Sequence, residues 1–288
     1  MTAVWYAVIC MAFAAGNDLL FKFFSRKERS RGLFCAVIGV ISVAYCIVTG
    51  IHLPSDWRAT LIWGSLAGFF SIGGNLLLIG AMKNLSAGLC STIYRLNLAL
   101  VVPGAWILFK ENNTLLQIFG IIAAFAAVLF FLPGSKNNSG NDPREARLGL
   151  IMVIIAAVMR AGMGLSYKYG FNLGASANGV NLVNAFCWII GGGIYYLLRE
   201  RKNPVLAVWD RKVSGYGILS GLFVFGIVFF MAHSVRLGNA SIVLPIMQMS
   251  FVVTFVLSAV FLKEKLTIYK FFALLCGAAA LLLLSIKP

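Results

Sequence analysis

The chain has 288 residues, 60% of them hydrophobic and only 11% charged, with a mean hydropathy of +0.91. A soluble domain is about half apolar and about a quarter charged, so this composition excludes a water-soluble globule and makes lipid the solvent for much of the surface. The net charge of +15 does not point to nucleic acid, because no basic run interleaves with exposed aromatic residues. Few acids, with Lys and Arg gathered in loops, is the pattern of a membrane protein.

Ten apolar segments follow in chain order, near 2–24, 32–51, 60–82, 86–109, 114–132, 147–170, 178–198, 213–235, 239–262 and 267–286. Each is about long enough to cross a hydrocarbon core of roughly 30 Å at about 1.5 Å per residue. The expected fold class is an all-α integral membrane protein of ten transmembrane helices. Ala12-Phe13-Ala14 offers a signal-peptide cleavage pattern, but no basic region precedes the first apolar run, so segment one is read as a span. Six cysteines all lie within apolar runs and none forms a C-x-x-C pair. Neither a disulfide framework nor a metal site is expected.

The stretch 133–146, rich in Gly, Asn, Ser and Pro, divides the chain into units 1–132 and 147–288 of five spans each. The two units repeat. Ala15-Gly16-x-x-Leu19-x-Phe21-Lys22-Phe23 returns as Ala161-Gly162-x-x-Leu165-x-Tyr167-Lys168-Tyr169. A shift of 153 carries Gly64-x-Leu66-x-Gly68-x-Phe70-x-x-Gly73 onto Gly217-x-Leu219-x-Gly221-x-Phe223-x-x-Gly226, and Lys110-Glu111-x-x-Thr114 onto Lys263-Glu264-x-x-Thr267. With an odd number of spans per unit, the second copy crosses in the opposite sense. Inverted repeats of this kind place a transport site between the halves, near the bilayer midplane. The odd-numbered loops carry most of the Lys and Arg, among them Arg26, Lys27, Arg29, Arg31, Arg144, Arg199 and Lys202. The positive-inside rule then puts both termini outside.

A charge at the centre of a membrane helix costs about 2.5–3.5 kcal/mol on insertion scales, so each one within a span requires a partner, a wet cavity or a route out. Asp18, Lys22, Arg95, Arg160, Lys168, His233 and Lys270 fall in this set. Lys270 lies near the end of the last span and is expected to snorkel to the surface. Lys22 and Lys168 occupy matched places in the repeated stretch, at opposite mouths. Arg160, Gly164 and Lys168 share a helix stripe with Tyr167 beside it, and Arg95 shares a face with Gly88, Ser91 and Thr92. Small residues there leave room for a ligand or for close helix approach. Asp18, four residues before Lys22, has three open roles: internal counter-ion, contact to a substrate ammonium, or carboxylate coupled to a proton or ion. His233, on one face with Gly226 and Phe230, reads equally as packing or as site. Gln248 takes the place in the second copy that Arg95 holds in the first. Pro245 before it breaks the ninth helix and frees a carbonyl. Asn75, Asn97 and Asn184 suit interhelical hydrogen bonds.

These residues resemble the drug/metabolite transporter superfamily in its EamA-like branch. The second copy carries the resemblance best: Ala232…Gly238-Asn239-Ala240…Pro245…Phe261-Leu262-Lys263-Glu264-Lys265-Leu266 looks like the family pattern Ala-Leu…Ala…Pro…Gly-Glu-x-Leu. The first copy departs from it, with Thr92 where the Pro would align. The resemblance implies a metabolite carrier with a central cavity and alternating access, in a cell membrane. It also implies cytoplasmic termini, opposite to the charge count.

The function expected is secondary transport of a small anionic or zwitterionic metabolite, such as an amino acid, organic acid or sugar-phosphate. Asp18, Lys22, Arg95, Arg160, Tyr167, Lys168, His233 and Gln248 are the candidate substrate-binding residues. No P-loop occurs, so a coupling proton or sodium ion, or a downhill gradient, would drive it. No H-E-x-x-H or G-x-S-x-G motif supports an enzyme, and no cofactor is expected. A channel or lipid scramblase of the same architecture is the alternative, and the assembly expected is a monomer or homodimer.

Overall fold

The structure is a computed structural model that describes residues 2–48, 56–109, 114–135, 143–207, 211–237, 246–263 and 267–284. Among these the regular structure is all helical. The helices are, in order, α1 (Thr2–Ser25), α2 (Arg31–Val48), α3 (Trp57–Asn84), the short α4 (Ala87–Arg95), α5 (Leu98–Phe109), α6 (Leu115–Ser135), α7 (Pro143–Asn172) and α8 (Ala177–Tyr195). They are followed by the short α9 (Pro204–Ala207), then α10 (Arg211–Leu237), α11 (Ser250–Leu262) and α12 (Ile268–Leu284). Among the described residues seven stretches are long and apolar enough to cross a membrane: Thr2–Ser25, Arg31–Val48, Trp57–Asn84, Ala87–Leu108, Arg144–Asn172, Ala177–Glu200 and Arg211–Met231. The apolar stretches Leu115–Ala127, Ile246–Leu262 and Ile268–Leu284 are shorter.

Helix starts follow local chemistry. Asp56 caps α3 by accepting from the N–H of Arg58 and Ala59 at 2.9 and 3.0 Å. Ser86 caps α4 and Ser176 caps α8. Thr114 and Gln117 cap α6 reciprocally, each side chain accepting from the other's backbone N–H, which satisfies two orphan donors at once. Lys263 ends α11 in the left-handed conformation at φ 53°.

The fourth span is broken, which the sequence reading does not anticipate. Helix α4 stops at Arg95, Leu96 takes φ −72° and ψ 5°, and α5 resumes at Leu98. The apolar run Ile246–Leu262 is interrupted at Met249, the position a shift of 153 matches to Leu96, with φ −69° and ψ 4°. Pro245, proposed as the breaking residue there, lies outside the described residues. In the fourth span the side chain of Asn97 donates to the Tyr94 carbonyl at 3.0 Å, a local bond that competes with the helix ladder.

Packing rests on small residues, as expected where lipid supplies no hydrophobic drive between helices. Helix α1 buries Ala3, Ala7, Cys10 and Ala14 on one stripe. Helix α3 packs on α7 and α8, and α10 packs on α1 and α2. A Cβ at Gly64 would meet Val183, at Gly68 it would meet Cys187, and at Gly73 Met159; at Gly217 it would meet Val37, at Gly221 Ile41, and at Gly226 Phe13. The α2–α8 crossing is tighter still. A Cβ at Gly32 would stand 2.5 Å from the Gly192 carbonyl oxygen, and one at Gly192 would stand 2.6 Å from that of Gly32. Helices α6 and α12 pack on each other, leaving Leu115, Phe119, Ile122, Phe125, Phe271, Phe272 and Leu275 exposed to face lipid.

Candidate functional site

Three elements meet at Asp18. Helix α1 carries it into the contact with α4 and α11, where its side chain is 4% exposed. Ser91 Oγ on α4 donates to Asp18 Oδ2 at 2.5 Å, Thr254 Oγ1 on α11 at 3.4 Å and Arg95 Nη2 at 3.5 Å. The Arg95 side chain is 12% exposed. Among the described residues its Nε is buried without a hydrogen-bond partner, and so is Ser250 Oγ, one turn before Thr254. A guanidinium offers five donors in a fixed fork; Asp18 occupies one prong. The α4 face that carries Ser91 and Arg95 reaches α11 closely because of Gly88, where a Cβ would stand 2.7 Å from the Phe255 ring. Close helix approach is therefore one use of that glycine.

Arg160 stands on α7 at the other side of α4. Its guanidinium lies over the Tyr94 ring, 5.7 Å from the centroid, and Nη1 lies 3.5 Å from the Met163 sulfur. Among the described residues it has no carboxylate partner. Arg160 and Asp18 are thus joined through one short helix, α4, whose last turn supplies Ser91, Tyr94 and Arg95. That turn is the one that ends at the Leu96 break. Among the described residues a Cβ at Gly164, one turn along α7 from Arg160, would meet only Val101 within 4 Å, at 3.8 Å, so space remains beside this stripe.

The other candidates are dispersed. Lys22 Nζ donates to the carbonyls of Met82 and Leu85 at 2.5 and 2.6 Å, neutralising the negative end of α3. Tyr167 sits near the opposite end of α3, packed by Ala59, Ala175 and Val180, and its hydroxyl accepts from Asn184 Nδ2 at 2.5 Å. Lys168 follows it on α7, half-buried. His233 Nδ1 bonds the Phe229 carbonyl at 2.9 Å, with the rings of Phe229 and Tyr6 at 4.2 and 5.8 Å. Tyr6 lies about 18 Å along α1 from Asp18 at about 1.5 Å per residue, so His233 is not brought to the acid. Gln248 is half-buried beside the interruption at Met249. Lys270 does not snorkel: it is 2% exposed on α12, a correction to its expected surface route.

Three polar links were not foreseen. Thr254 and Ser250 belong to a Ser250, Thr254, Ser258 stripe at helical spacing, all buried; that spacing is the signal. Ser220 Oγ donates to Asn17 Oδ1 at 2.6 Å and ties α10 to α1. Glu200 ends a π-helical turn after α8, where its carboxylate accepts from Ser30 Oγ at 2.6 Å and from the N–H of Arg31 and Gly32 at 2.9 and 3.1 Å. It caps α2, whose N-terminal partial charge favours an acid.

Repeated long apolar helices with charges paired or cradled inside define a multi-pass integral membrane protein. The model of the EamA-like transporter family matches residues 1–132 and again 147–286. The chain belongs to that family, in the drug/metabolite transporter superfamily, and is a membrane transporter by class. It is 32% identical over 105 residues to an uncharacterized protein of Methanocaldococcus jannaschii. Those residues are 77% of that protein and 35% of this chain, so the relative is about half as long. A crystal structure of a protein superposes with a TM-score of 0.62, covering 98% of this chain and 97% of the other at 16% identity; the likeness is one of fold.

Proposed function

We propose that the protein is a secondary transporter of a small anionic or zwitterionic metabolite, built from ten spans in two inverted five-span units and working by alternating access. The glycine contacts support the two-fold arrangement. A shift of 153 carries Gly64, Gly68 and Gly73 onto Gly217, Gly221 and Gly226; a shift of 146 carries their partners in the second half, Val183, Cys187 and Met159, back onto Val37, Ile41 and Phe13. Each glycine keeps its role while its partner changes halves. The half-length archaeal relative agrees with a unit that exists singly.

The observation that carries the substrate class is the imbalance at the centre. Among the described residues Asp18 is the one carboxylate beside Arg95, Arg160 has none, and Arg95 Nε has no hydrogen-bond partner. A guanidinium stays charged and suits a carboxylate or phosphate bidentately, so an anionic substrate group supplies the missing counter-charge. Arg95 and Arg160 bind that group, and Asp18 sets the fork of Arg95 while remaining the one acid able to meet a substrate ammonium, a proton or sodium. Lys22, Lys168, Tyr167 and His233 line the approaches at the two ends, and Gln248 stands at the second-half counterpart of Arg95. The membrane is a cell membrane.

The test is counterflow in proteoliposomes, with candidates taken from a thermal-shift screen of purified protein against anionic and zwitterionic metabolites. Saturable, counterflow-stimulated uptake is the expected result, abolished by Arg160→Gln in protein that inserts and runs as a single species. Wild-type uptake by that variant would refute the central-anion reading, and unsaturable flux would refute the carrier.

A further inference from the structure

Away from the Asp18 centre, the end of the bundle that holds Lys22 carries a cavity of about 50 Å³ between the last turn of α1, the start of α2, the last turns of α3 and the short α9. Its charged lining is Lys27, Glu28, Arg29, Arg31 and Lys83, with Leu206 as part of an apolar wall. Four cations face one acid in that lining, and the pairing is unequal. Lys83 Nζ and Glu28 Oε1 form an ion pair at 3.0 Å, both about half exposed. Arg29 is held in place: Nη1 donates to the Phe24 carbonyl at 3.0 Å, and the guanidinium lies 5.0 Å from the Tyr216 ring centroid.

Arg31 and Lys27 have no such compensation. The backbone N–H of Arg31 reaches Glu200, but its guanidinium lies against α3, in the space Gly80 leaves by having no Cβ. Neither side chain makes an ion pair among the described residues. The carboxylate of Glu200 is already taken by Ser30, Arg31 N–H and Gly32 N–H, so the α2 N-terminus brings no further acid to the cavity. Like charges gathered in a concavity with low-dielectric walls concentrate a counter-anion. The α9 wall of the cavity continues into exposed apolar surface: Val205, next to the lining Leu206, is exposed, and so are Leu197 and Leu198 on the π-helical turn that precedes α9.

We propose that this cavity binds a phosphate ester, with Arg31 and Lys27 contacting the phosphate and Arg29 framing it. The shared chemistry is that of an anionic phospholipid headgroup and of free phosphate. The apolar flank gives acyl chains a place to lie, which favours the lipid, and basic pockets between helix ends recognise such headgroups. The site is independent of the central arginines and of the substrate.

The test uses the purified full-length protein in detergent, with phosphatidylglycerol, phosphatidylcholine and inorganic phosphate as probes and the melting temperature as readout. Phosphatidylglycerol should raise it above the phosphatidylcholine value by mass action, and the excess should vanish in Lys27→Gln/Arg31→Gln. Lys27→Gln alone, at an exposed residue, should fold normally and weaken the apparent affinity for phosphatidylglycerol about tenfold. Arg147→Gln/Arg199→Gln, which removes two exposed charges outside the cavity, should keep the full shift. A shift from inorganic phosphate as large as that from phosphatidylglycerol, and lost in the same variant, supports the anion site with a soluble source. Equal shifts from phosphatidylglycerol in wild type and in both Lys27 variants, or from phosphatidylcholine as from phosphatidylglycerol, overturn the proposal.

Discussion

Ser91 Oγ donates to Asp18 Oδ2 at 2.5 Å, a full ångström closer than Arg95 Nη2 approaches the same oxygen. The neutral hydroxyl is the intimate partner, and the guanidinium is held at the edge of bonding distance. A hydrogen bond to a charged group contributes about 1.5–3 kcal/mol, whereas removing one partner of a buried ion pair costs about 3–5 kcal/mol by stranding the other charge. Ser91→Ala should therefore lower stability by about 2 kcal/mol and Asp18→Ala by about 4 kcal/mol. Thermal melts of the two variants in detergent give the order; a smaller loss for Asp18→Ala would mean that Arg95 is not held by it.

Lys22 bonds two carbonyls at the end of α3, so its removal should be felt as stability. Lys22→Met leaves the Met82 and Leu85 oxygens without this donor, at a cost of about 1–3 kcal/mol. The accompanying measurement is KM of the folded fraction. An unchanged KM with a lowered melting temperature marks Lys22 as a helix-end clamp, and a raised KM marks it as part of the substrate path.

Gly192 and Gly193 are neighbours with opposite surroundings. A Cβ at Gly192 would lie 2.6 and 2.8 Å from backbone atoms of Gly32 and Ala36, while one at Gly193 meets nothing within 4 Å among the described residues. Backbone cannot move aside as a side chain can. Gly192→Ala should push α2 from α8 and unfold the protein at a markedly lower temperature. Gly193→Ala should be neutral or stabilising by up to about 1 kcal/mol, the helix-propensity difference. Melting curves of the pair decide it.

Lys263 terminates α11 at φ 53°, a conformation that costs an L-residue about 1–2 kcal/mol and a glycine almost none. It stands where the family pattern has Gly before Glu. Lys263→Gly should raise stability by about 0.5–1 kcal/mol, the steric relief less the added chain entropy, as read by the shift in melting temperature. A loss would show that the Lys263 side chain makes a contact worth more than its strain.

The helices were legible because apolar runs of span length have one outcome in lipid. Asp18 and Arg95 were legible for the converse reason: their cost within a span demands a partner, and they are partnered with each other. The Leu96 break was not, because no Pro precedes it and the competing bond is made by Asn97, an ordinary polar residue by composition. Nor were the carbonyls that receive Lys22, some 60 positions along the chain, or the α2 N-terminus that receives Glu200. An acid at a helix end carries no local penalty to mark it, and its partners lie about 170 residues away. Thr254 could have been found from its stripe with Ser250 and Ser258.

Most of the strong helix contacts join the two halves: α3 with α7 and α8, α10 with α1 and α2, α6 with α12, α4 with α11. The bonds from Ser91 and Arg95 to Asp18 are an exception, since donors and acceptor all belong to the first half; Thr254 alone comes from the second. During synthesis, then, the helices of the first half must wait in the bilayer with their small-residue faces against lipid until the later ones arrive. Over that interval the acid of α1 already has its hydroxyl and its guanidinium from α4. The nascent first half can shelter its own carboxylate, and it is the glycine-lined surfaces, not the buried charge, that depend on the second half being made.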